Sequence, residues 1–573
     1  MTIPSDSLKQ KHRQGIYLIL LLCVVAYFNT LGNGFLNFDD HNERILKNPF
    51  LTDPWQWSHL STAFTQATAG YYDPIYVLSY VLDYQLWGWN PAGFHLHNLL
   101  LHAVNSILIF LLLSRLTGRF PLALLAGVFF AVHPIHVESV SWATSRKDTL
   151  SLLFALCSML VYFRGVSGSH KKYFLGAAGS IVLLILGMMT KPTVIVVPIV
   201  ILLTELFLRH SPIQWKRVLI YQTVSLSLLA GFMILTLPMT LGVGWNPEVR
   251  FPLFTHAVLF LQLYGYYLKL IFLPLNLSAF YLIPIHDTAE MLVTFVYVPV
   301  FIVLAGWIIF SIRQAIRDTS ENPRYRPIVW GVALFLIGLS PFTNIIPHSI
   351  YMADRYEYLA SIGFCTALAA VLLEIPWKKV RVVFVALLIV FYSALCMDRI
   401  PVWKDSPTLW ADINQKRNIT AFDHHRIMGG AYAFDGKWQN AVEEYEKAGV
   451  EKLNDPEERM RVASIYSTIG NHDRAEQVVS HTLLQTPDYI PAMNRLITLH
   501  ISARDYRKAE EYLKKFSHKF TERENQLFGK LIRYAQKSDI KNATEVYRDL
   551  QNSIRSRINH VQKQNRVGGR SGA

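Results

Sequence analysis

The sequence predicts an all-α protein with two parts: a polytopic membrane domain of about 11 helical spans, and a solenoid of repeated helix pairs after it. Two observations support this fold class. Roughly the first 400 residues contain many apolar runs of about 20 residues, which is the length of a helix that crosses a bilayer. The residues after them are polar and repeat with a constant period. These runs, together with a hydrophobic share of 52% of the 573 residues, strongly disfavour a purely soluble globular protein.

The net charge of +14 does not indicate a nucleic-acid partner. Much of the excess positive charge lies in short loops beside the apolar runs, where Lys and Arg determine the orientation of membrane spans. All of the cysteines lie within apolar runs and have no paired spacing: Cys23, Cys157, Cys365 and Cys396. We therefore expect neither disulfides nor a metal cluster, and no binding of nucleic acid.

Basic residues predict that the N-terminus is cytoplasmic. Lys9, Lys11 and Arg13 precede the first apolar run, Gly15 to Leu31, and positive residues before a first span stay on the inner side. No small-residue cleavage site follows this run, which favours a membrane anchor over a cleaved signal peptide. The long loop from Asn33 to Asn98 is then exoplasmic.

The later loops agree with this orientation. Basic clusters at residues 115–119, 164–172, 209–217, 313–326 and 378–381 all fall on the inner side when the apolar runs are crossed in turn. To keep this parity, the segment from Phe254 to Asp287 must begin and end on the outer side. We expect a re-entrant or interfacial helix pair there, broken at LPLNLS. The active site and the repeats are then exoplasmic, which means periplasmic or extracellular, or lumenal in a eukaryotic cell.

The loop from Asn33 to Asn98 holds the first candidates for chemistry. Loops longer than about 12–15 residues between packed elements are usually functional, and the Trp and Tyr residues of this loop are typical of a bilayer interface. Adjacent Asp39 and Asp40 follow a Gly-Asn-Gly turn. Two neighbouring carboxylates repel each other, which favours one protonated member and one ionised base. We prefer Asp39 as the base, with Asp40 orienting the substrate; the alternative is a solvated pair or a helix cap.

Cations at other predicted outer span ends are candidates for binding a phosphate. Lys191 lies in TKPT, and Arg355 lies with Tyr358 in DRYEYL. Cations on one face would clamp a lipid phosphate by charge-assisted hydrogen bonds. Both side chains also fit the alternative of long cations that extend to the membrane interface.

A histidine-rich segment lies at another predicted outer end. His133 and His136 in HPIH have a spacing that resembles a metal site, but helix capping or hydrogen bonds to a substrate fit them better, so no metal site is predicted. Arg146 begins the following span and is expected to be partly structural. All three residues are included among the candidate substrate-binding residues.

Four polar segments after Arg399 share one pattern. Their alanines are each 34 residues apart: Ala441, Ala475, Ala509 and Ala543. A period of 34 is typical of tetratricopeptide repeats, in which a small residue lets paired helices approach closely. We predict such repeats over residues 401–561 and a disordered tail over residues 562–573. Because these solenoids bind peptides or proteins, the predicted partner is a protein or peptide.

Six motifs occur in order before the repeats: FDD, LSYVLDYQLWGWNPAGFHLHNLLLH, HPIHVESVSWATSRKD, TKPT, PLNLS and DRYEYLASIGF. Together they resemble the transmembrane and tetratricopeptide-repeat-containing O-mannosyltransferases and their prokaryotic relatives, which are GT-C glycosyltransferases. The resemblance covers nearly the whole chain. It implies a GT-C-like transmembrane domain over residues 1–400, with its large first exoplasmic loop over residues 33–98.

The resemblance also implies an activity. These enzymes move a sugar from a polyprenyl-phosphate donor to a hydroxyl acceptor, here a protein Ser or Thr, on the exoplasmic face. The family's acidic motif corresponds to Asp39 and Asp40, and the cations that match its phosphate-binding positions are Lys191 and Arg355. The lipid-linked sugar is a substrate, so no cofactor is expected, and a divalent metal stays an alternative. Membrane lipids are the remaining expected partners.

The chain departs from the family in three places, and three alternatives stay open. Asp73 stands where relatives often carry Arg, which puts the donor chemistry in doubt, and Asp354 and Ala360 replace a Glu and a Pro. The alternatives are transfer to a glycan or lipid acceptor, a non-catalytic membrane scaffold that presents the repeats, and a transporter. A transporter is disfavoured because the sequence lacks pseudo-symmetric halves with matched broken helices.

Overall fold

The computed structural model describes residues 6–40, 45–52, 56–68, 70–166, 168–209, 213–240, 253–281, 299, 302–304, 306–311, 313, 325–343, 350–417 and 419–568. The chain forms two compact units, Met1–Arg417 and Asn418–Ala573. Both units are helical, and the only β-type pairing among the residues just given is an isolated bridge between Thr68 and Tyr71. The predicted all-α class is therefore confirmed.

The first unit contains sixteen named α-helices among the residues that the structure describes. They are α1 (Asp6–Tyr27), α2 (Pro49–Thr52), α3 (Trp57–Thr65), α4 (Pro74–Trp87), α5 (Pro91–Thr117), α6 (Phe120–Val132), α7 (Val137–Ser141), α8 (Arg146–Val166), α9 (His170–Met188), α10 (Val197–Phe207), α11 (Trp215–Thr240), α12 (Leu253–Phe272), α13 (Arg326–Leu339), α14 (Ser361–Leu373), α15 (Lys378–Arg399) and α16 (Ser406–Gln415). Short 3₁₀ turns at Pro134–His136, Ala143–Ser145, Pro192–Val196 and Asp354–Glu357 connect several of them.

Six of the described helices are long and apolar enough to cross a membrane: Lys9–Gly32, Pro91–Thr117, Ala143–Val166, His170–Met188, Trp215–Met239 and Lys378–Trp403. A seventh span results if α6 and the segment Pro134–Ser141, which are bent by 50° relative to each other, are counted as one. Shorter apolar helices include Pro192–Phe207, Val258–Phe272, Arg326–Phe342 and Ser361–Leu373. This set fits a multi-pass membrane protein. The count of eleven stays a prediction.

Exposed apolar side chains mark the outer surface of the unit. On α15, Val383, Leu387 and Val390 are all exposed, and on α11 the same is true of Ile234 and Leu235. Contiguous apolar surface of this extent is unusual on a soluble protein and is the surface that a bilayer requires.

The predicted helix pair between Phe254 and Asp287 is described only in part. Its first half is α12, which ends at Phe272, just before the Pro274 and Asn276 that the prediction took as the break. Residues 282–298, which would hold the second half, lie outside the described residues, as does most of the predicted inner loop 313–326.

Local sequence explains the helix ends that shape the site. Pro91 occupies the first turn of α5, where a missing N–H is harmless, and the side chain of Asn90 caps the same turn by accepting from the Ala92 N–H at 3.1 Å. Gly118 ends α5 in the left-handed conformation with φ of 64°. At the end of α6, the His133 ring accepts from the Ile135 N–H at 3.2 Å and so holds the sharp bend.

The first unit extends to Arg417, later than the predicted domain boundary at residue 400. Two contacts explain why α16 belongs to it. Arg399 forms an ion pair with Asp412 at 2.8 Å, and the Trp410 indole donates to the Asn37 side chain at 2.6 Å.

The second unit consists of four helix pairs. They are α17 (Ala421–Phe434) with α18 (Trp438–Ala448), α19 (Pro456–Thr468) with α20 (His472–Gln485), α21 (Ile490–Ser502) with α22 (Tyr506–Phe516), and α23 (Glu522–Gln536) with α24 (Ile540–Gly568). Ala441, Ala475 and Ala509 are fully buried in it.

The turn inside each helix pair contains one residue in the left-handed backbone conformation. One residue per turn has positive φ: Gly436 (71°), Gly470 (81°), Arg504 (60°) and Ser538 (57°). These positions follow one another at the predicted period of 34, although only the first two are glycines. The left-handed conformation is strained for the other two residues, so the turn geometry is imposed by the packing of the helices.

Candidate active site

The segment from His133 to Asp148 organises the candidate site. It contains the 3₁₀ turn Pro134–His136, then α7, then the 3₁₀ turn Ala143–Ser145, and then the start of α8. Nearly all of it is buried. Its backbone carbonyl groups bind side chains of the long first loop and of the start of α5. Three consecutive ones accept hydrogen bonds: those of Trp142, Ala143 and Thr144 from Asn98 (3.1 Å), Tyr80 (2.8 Å) and Tyr76 (2.7 Å).

Asp40 attaches the acidic loop to this segment. One carboxylate oxygen accepts from the Leu36 N–H at 2.9 Å, and the other accepts from the Thr144 N–H at 3.1 Å and from the Thr144 hydroxyl. The side chain is completely buried. Burial raises the pKa of Asp40 to about 7, and the hydrogen bonds from Thr144 and Leu36 oppose this shift. Asp40 therefore fixes the shape of the loop, and both of its oxygen atoms are engaged by protein groups.

Asp39 occupies a different environment. It is half-buried, whereas its neighbour Asp40 has no exposed surface. The Phe38 ring on its other side packs against Trp142 with ring centroids 5.1 Å apart. Of the acidic pair, Asp39 is the member with exposed surface.

The two predicted phosphate-binding cations lie close together. Lys191 is placed at the start of the turn Pro192–Val196, and Arg355 is placed in the turn Asp354–Glu357. Both lie against one aromatic ring: the Lys191 ammonium is 5.6 Å from the centroid of Tyr356, and the Arg355 guanidinium is 5.0 Å from it. The ammonium also lies 4.7 Å from the Phe342 centroid.

Each of these cations is paired with a buried carboxylate. Lys191 forms an ion pair with Asp148, and Arg355 forms one with Glu138, whose second oxygen accepts from the Arg355 N–H at 2.9 Å. We refer to Lys191, Asp148, Arg355 and Glu138 as the charge cluster. Burial lowers the pKa of Lys191, and Asp148 opposes this shift. The cluster has no net charge, so an anion must rearrange an ion pair in order to bind both cations.

Trp142 joins the acidic loop to the charge cluster. The Arg355 guanidinium lies 5.4 Å from the Trp142 ring, and Phe38 packs on the same indole. Phe38 of the acidic loop and Arg355 of the charge cluster are therefore neighbours through a single side chain. Carboxylates on one side of aromatic side chains and cations on the other suit a reaction in which a base removes a proton and an anion leaves.

Arg146 joins three elements. Its guanidinium forms an ion pair with Asp83 and donates to Asn98 at 2.8 Å and to the Phe94 carbonyl at 2.9 Å, and it stacks 4.4 Å from the Tyr80 ring. It has no exposed surface. The expectation of a partly structural role agrees with these contacts, and they hold α4 and α5 against the start of α8.

His133, His136 and Tyr358 are buried, and their polar atoms face protein groups. His133 donates to the Ile271 carbonyl at 3.0 Å; His136 donates to the Phe130 carbonyl at 2.9 Å. Three further groups donate hydrogen bonds to histidine rings. The Ile135 N–H donates to His133 (3.2 Å), the Ser361 hydroxyl to His136 (2.8 Å) and the Tyr358 hydroxyl to His102 (2.8 Å). These contacts assign the three side chains to the packing behind the charge cluster. Their predicted role in substrate binding stays a prediction.

Sequence reasoning did not single out Glu138 or Asp148 as site residues. Both lie in the motif HPIHVESVSWATSRKD, beside residues that were selected. A usable signal was present: cations at buried positions require carboxylate partners. Asp354, which accepts a hydrogen bond from Tyr281, was noted only as a replacement for Glu.

The fold and the site define a class: a helical membrane protein of several spans, with an acidic loop and a buried charge cluster at adjoining helix ends. A family model for dolichyl-phosphate-mannose-protein mannosyltransferase matches residues 76–241. The chain is 24% identical over 531 residues to human Protein O-mannosyl-transferase TMTC3, covering 83% of this chain and 55% of that protein. No solved structure matches it.

Other relatives carry the same name. The chain is 25% identical over 443 residues to Protein O-mannosyl-transferase F38B6.6 of Caenorhabditis elegans, covering 71% of this chain and 59% of the relative. It is 34% identical over 200 residues to Protein O-mannosyl-transferase Tmtc2 of Drosophila melanogaster, covering 32% and 21%. The chain is thus similar to curated Protein O-mannosyl-transferases, which agrees with the resemblance that its motifs predicted. It spans 55% of the human protein.

Proposed function

We propose that this chain is a membrane glycosyltransferase that moves a sugar from a polyprenyl-phosphate donor to a hydroxyl group of a protein on the exoplasmic face. The names of its relatives suggest mannose as the sugar. One observation carries the proposal: Lys191 and Arg355 come from distant parts of the chain and meet around Tyr356, beside the Trp142 on which the acidic loop packs.

The reaction assigns a role to each group. Asp39 accepts the proton of the acceptor hydroxyl as its oxygen attacks the anomeric carbon. The bond from that carbon to the phosphate oxygen breaks, and polyprenyl phosphate leaves as an anion. Lys191 and Arg355 stabilise the phosphate by charge-assisted hydrogen bonds. Attack from the face opposite the phosphate inverts the anomeric centre.

The charge cluster suggests how the site stays stable before the donor binds. Buried cations without partners are costly, so Asp148 and Glu138 hold them while no donor is bound. The donor phosphate takes over one or both cations. A membrane domain suits such a donor, because the polyprenyl chain stays in the bilayer while the phosphate enters the site.

The orientation and the repeats complete the proposal. About eleven crossings, a cytoplasmic N-terminus and an exoplasmic active site follow from the basic loops of the sequence. Four helix pairs with a turn every 34 residues support tetratricopeptide repeats, with a protein acceptor or partner as their ligand. The predicted disordered tail over residues 562–573 is not part of this proposal, because α24 includes residues 562–568 and residues 569–573 lie outside the described residues.

The test is a transfer assay with the purified full chain in lipid nanodiscs. Radiolabelled polyprenyl-phosphate mannose is supplied with a Ser/Thr-rich peptide, with a glycan or with a lipid acceptor in separate reactions. The proposal expects labelled peptide together with released polyprenyl phosphate, and release that is about 10²- to 10⁴-fold slower with the Asp39→Asn variant. Label on the glycan or lipid alone would contradict a protein acceptor. No release with any acceptor or donor sugar would favour a scaffold without transferase activity.

A further inference from the structure

A cavity in the second unit contains an arginine that no described group neutralises. The cavity has a volume of about 200 Å³ and lies between α19, α20 and the short turn Val450–Lys452. This volume is far above the roughly 10–15 Å³ that holds one water molecule. Its polar lining includes Arg459, Arg474, Gln477 and His481, and Val450 and Val478 form an apolar part of its wall.

The two arginines of the cavity differ in their contacts. Arg474 is fully engaged: it donates to Glu446 at 3.1 Å, to Glu451 at 2.8 Å and to Gln477 at 3.2 Å. Arg459 is only 3% exposed, and among the described residues its buried Nε has no hydrogen-bond partner. Burial lowers the pKa of Arg459, and no neighbouring charge opposes that shift.

An uncompensated buried cation that faces a cavity indicates an anionic ligand, because leaving a buried charge unpaired destabilises a protein. We propose that this cavity binds a carboxylate side chain of an acidic polypeptide segment, with Arg459 as the residue that recognises it. The guanidinium offers a planar fork of donors that matches a carboxylate. The valines accommodate the methylene groups of the entering side chain.

The charges around the cavity favour a carboxylate over a phosphate. Glu451 lines the same wall and Glu446 stands behind Arg474. These two acids repel a doubly charged phosphate more than a singly charged carboxylate. A polypeptide source fits a unit built of repeated helix pairs, since such arrays bind extended chains. The inference rests on this unit alone and does not require glycosyl transfer.

The experiment measures the binding of a fluorescein-labelled peptide of alternating Glu and Val to the full chain in nanodiscs. Its matched control is the same peptide with Gln in place of Glu. Arg459→Gln is expected to weaken binding of the Glu peptide about 10- to 100-fold, as for loss of a hydrogen bond to a charged group. Arg461→Gln is the matched protein control, because it lies on the same helix with a 59% exposed side chain. It is expected to leave binding unchanged, and Arg459→Lys to restore part of it.

Two further measurements separate recognition of a ligand by Arg459 from a structural role of this residue. The Arg459→Gln variant is expected to unfold at the same or a higher temperature than the wild type, because it removes an unpaired buried charge. A large loss of stability would mean that Arg459 has a structural partner and would overturn the inference. Equal binding of the Glu and Gln peptides would also overturn it, and displacement of the peptide by inorganic phosphate more effectively than by free glutamate would refute the carboxylate assignment.

Discussion

The ion pair between Lys191 and Asp148 allows a structural role to be separated from a role in binding the donor. The side chains of Lys191 and Asp148 are 10% and 3% exposed. Lys191→Met leaves Asp148 buried without a counter-charge, and breaking a buried pair in this way costs about 3–5 kcal/mol of stability. The double variant Lys191→Met/Asp148→Asn removes both charges. It is expected to recover most of that loss, because an apolar or neutral replacement of a whole buried pair is often close to neutral.

Donor affinity is expected to behave differently. If Lys191 binds the donor phosphate, the single and the double variant both lose that contact. Loss of a hydrogen bond to a charged group costs about 1.5–3 kcal/mol, which corresponds to roughly 10- to 150-fold weaker binding. The double variant would thus be stable but would bind the donor weakly. A purely structural Lys191 would instead give a double variant that binds the donor as the wild type does.

A matched control is available elsewhere in the membrane unit. Arg209 and Glu205 form another buried ion pair at 2.7 Å, with side chains that are 9% and 0% exposed. The double variant Glu205→Gln/Arg209→Gln is expected to bind the donor normally. Unfolding is followed through the fluorescence of the 13 tryptophans, and affinity by titration of polyprenyl-phosphate mannose into nanodiscs. Wild-type donor affinity in the Lys191→Met/Asp148→Asn variant would refute the phosphate role.

Three other predictions concern stability. Arg146→Met leaves buried Asp83 with the His97 ring at 2.6 Å but without its arginine, and it also removes the hydrogen bonds of the guanidinium to Asn98 and Phe94. It is expected to destabilise the chain by about 3–5 kcal/mol; wild-type unfolding in denaturant would contradict this. Because burial raises the pKa of Asp40 from 3.8 to about 7, its contribution to stability is full below about pH 4 and is lost as the pH rises through 7. Asp40→Asn should flatten the change in unfolding free energy between these pH values, and an unchanged pH dependence would argue against the shift. Arg504→Gly and Ser538→Gly should each stabilise the second unit by about 1 kcal/mol, because they relieve a left-handed backbone; a lower melting temperature by circular dichroism would show that these side chains contribute more than the strain costs.

The features that could be predicted from the sequence are those encoded by a short motif or by a regular spacing of residues. Apolar runs of the correct length predicted the helices of the membrane unit, and the spacing of four alanines predicted helix pairs whose turns recur at the same period. The residue types at those turns carried no such signal, because Arg504 and Ser538 take a conformation that usually selects glycine.

The features that it missed depend on contacts between distant segments. Nothing local to Asp40 indicates that Thr144 will bind its carboxylate, or that Glu138 will pair with Arg355. Adjacent aspartates predict repulsion but not which member is buried. Likewise, the break after Val132 is visible as a proline, whereas the hydrogen bond from His133 to Ile271 across the fold is not.

The central claim is that Asp39 removes the acceptor proton, whereas Asp40 holds the loop. It is tested most directly by the single-turnover rate of sugar transfer in the Asp39→Asn and Asp40→Asn variants, at saturating donor and with donor binding measured in parallel. General-base catalysis contributes about 10²- to 10⁴-fold, so Asp39→Asn should slow transfer by that factor while folding and donor affinity stay normal. Asp40→Asn should act mainly through stability. Transfer at the wild-type rate by folded Asp39→Asn protein would contradict the account.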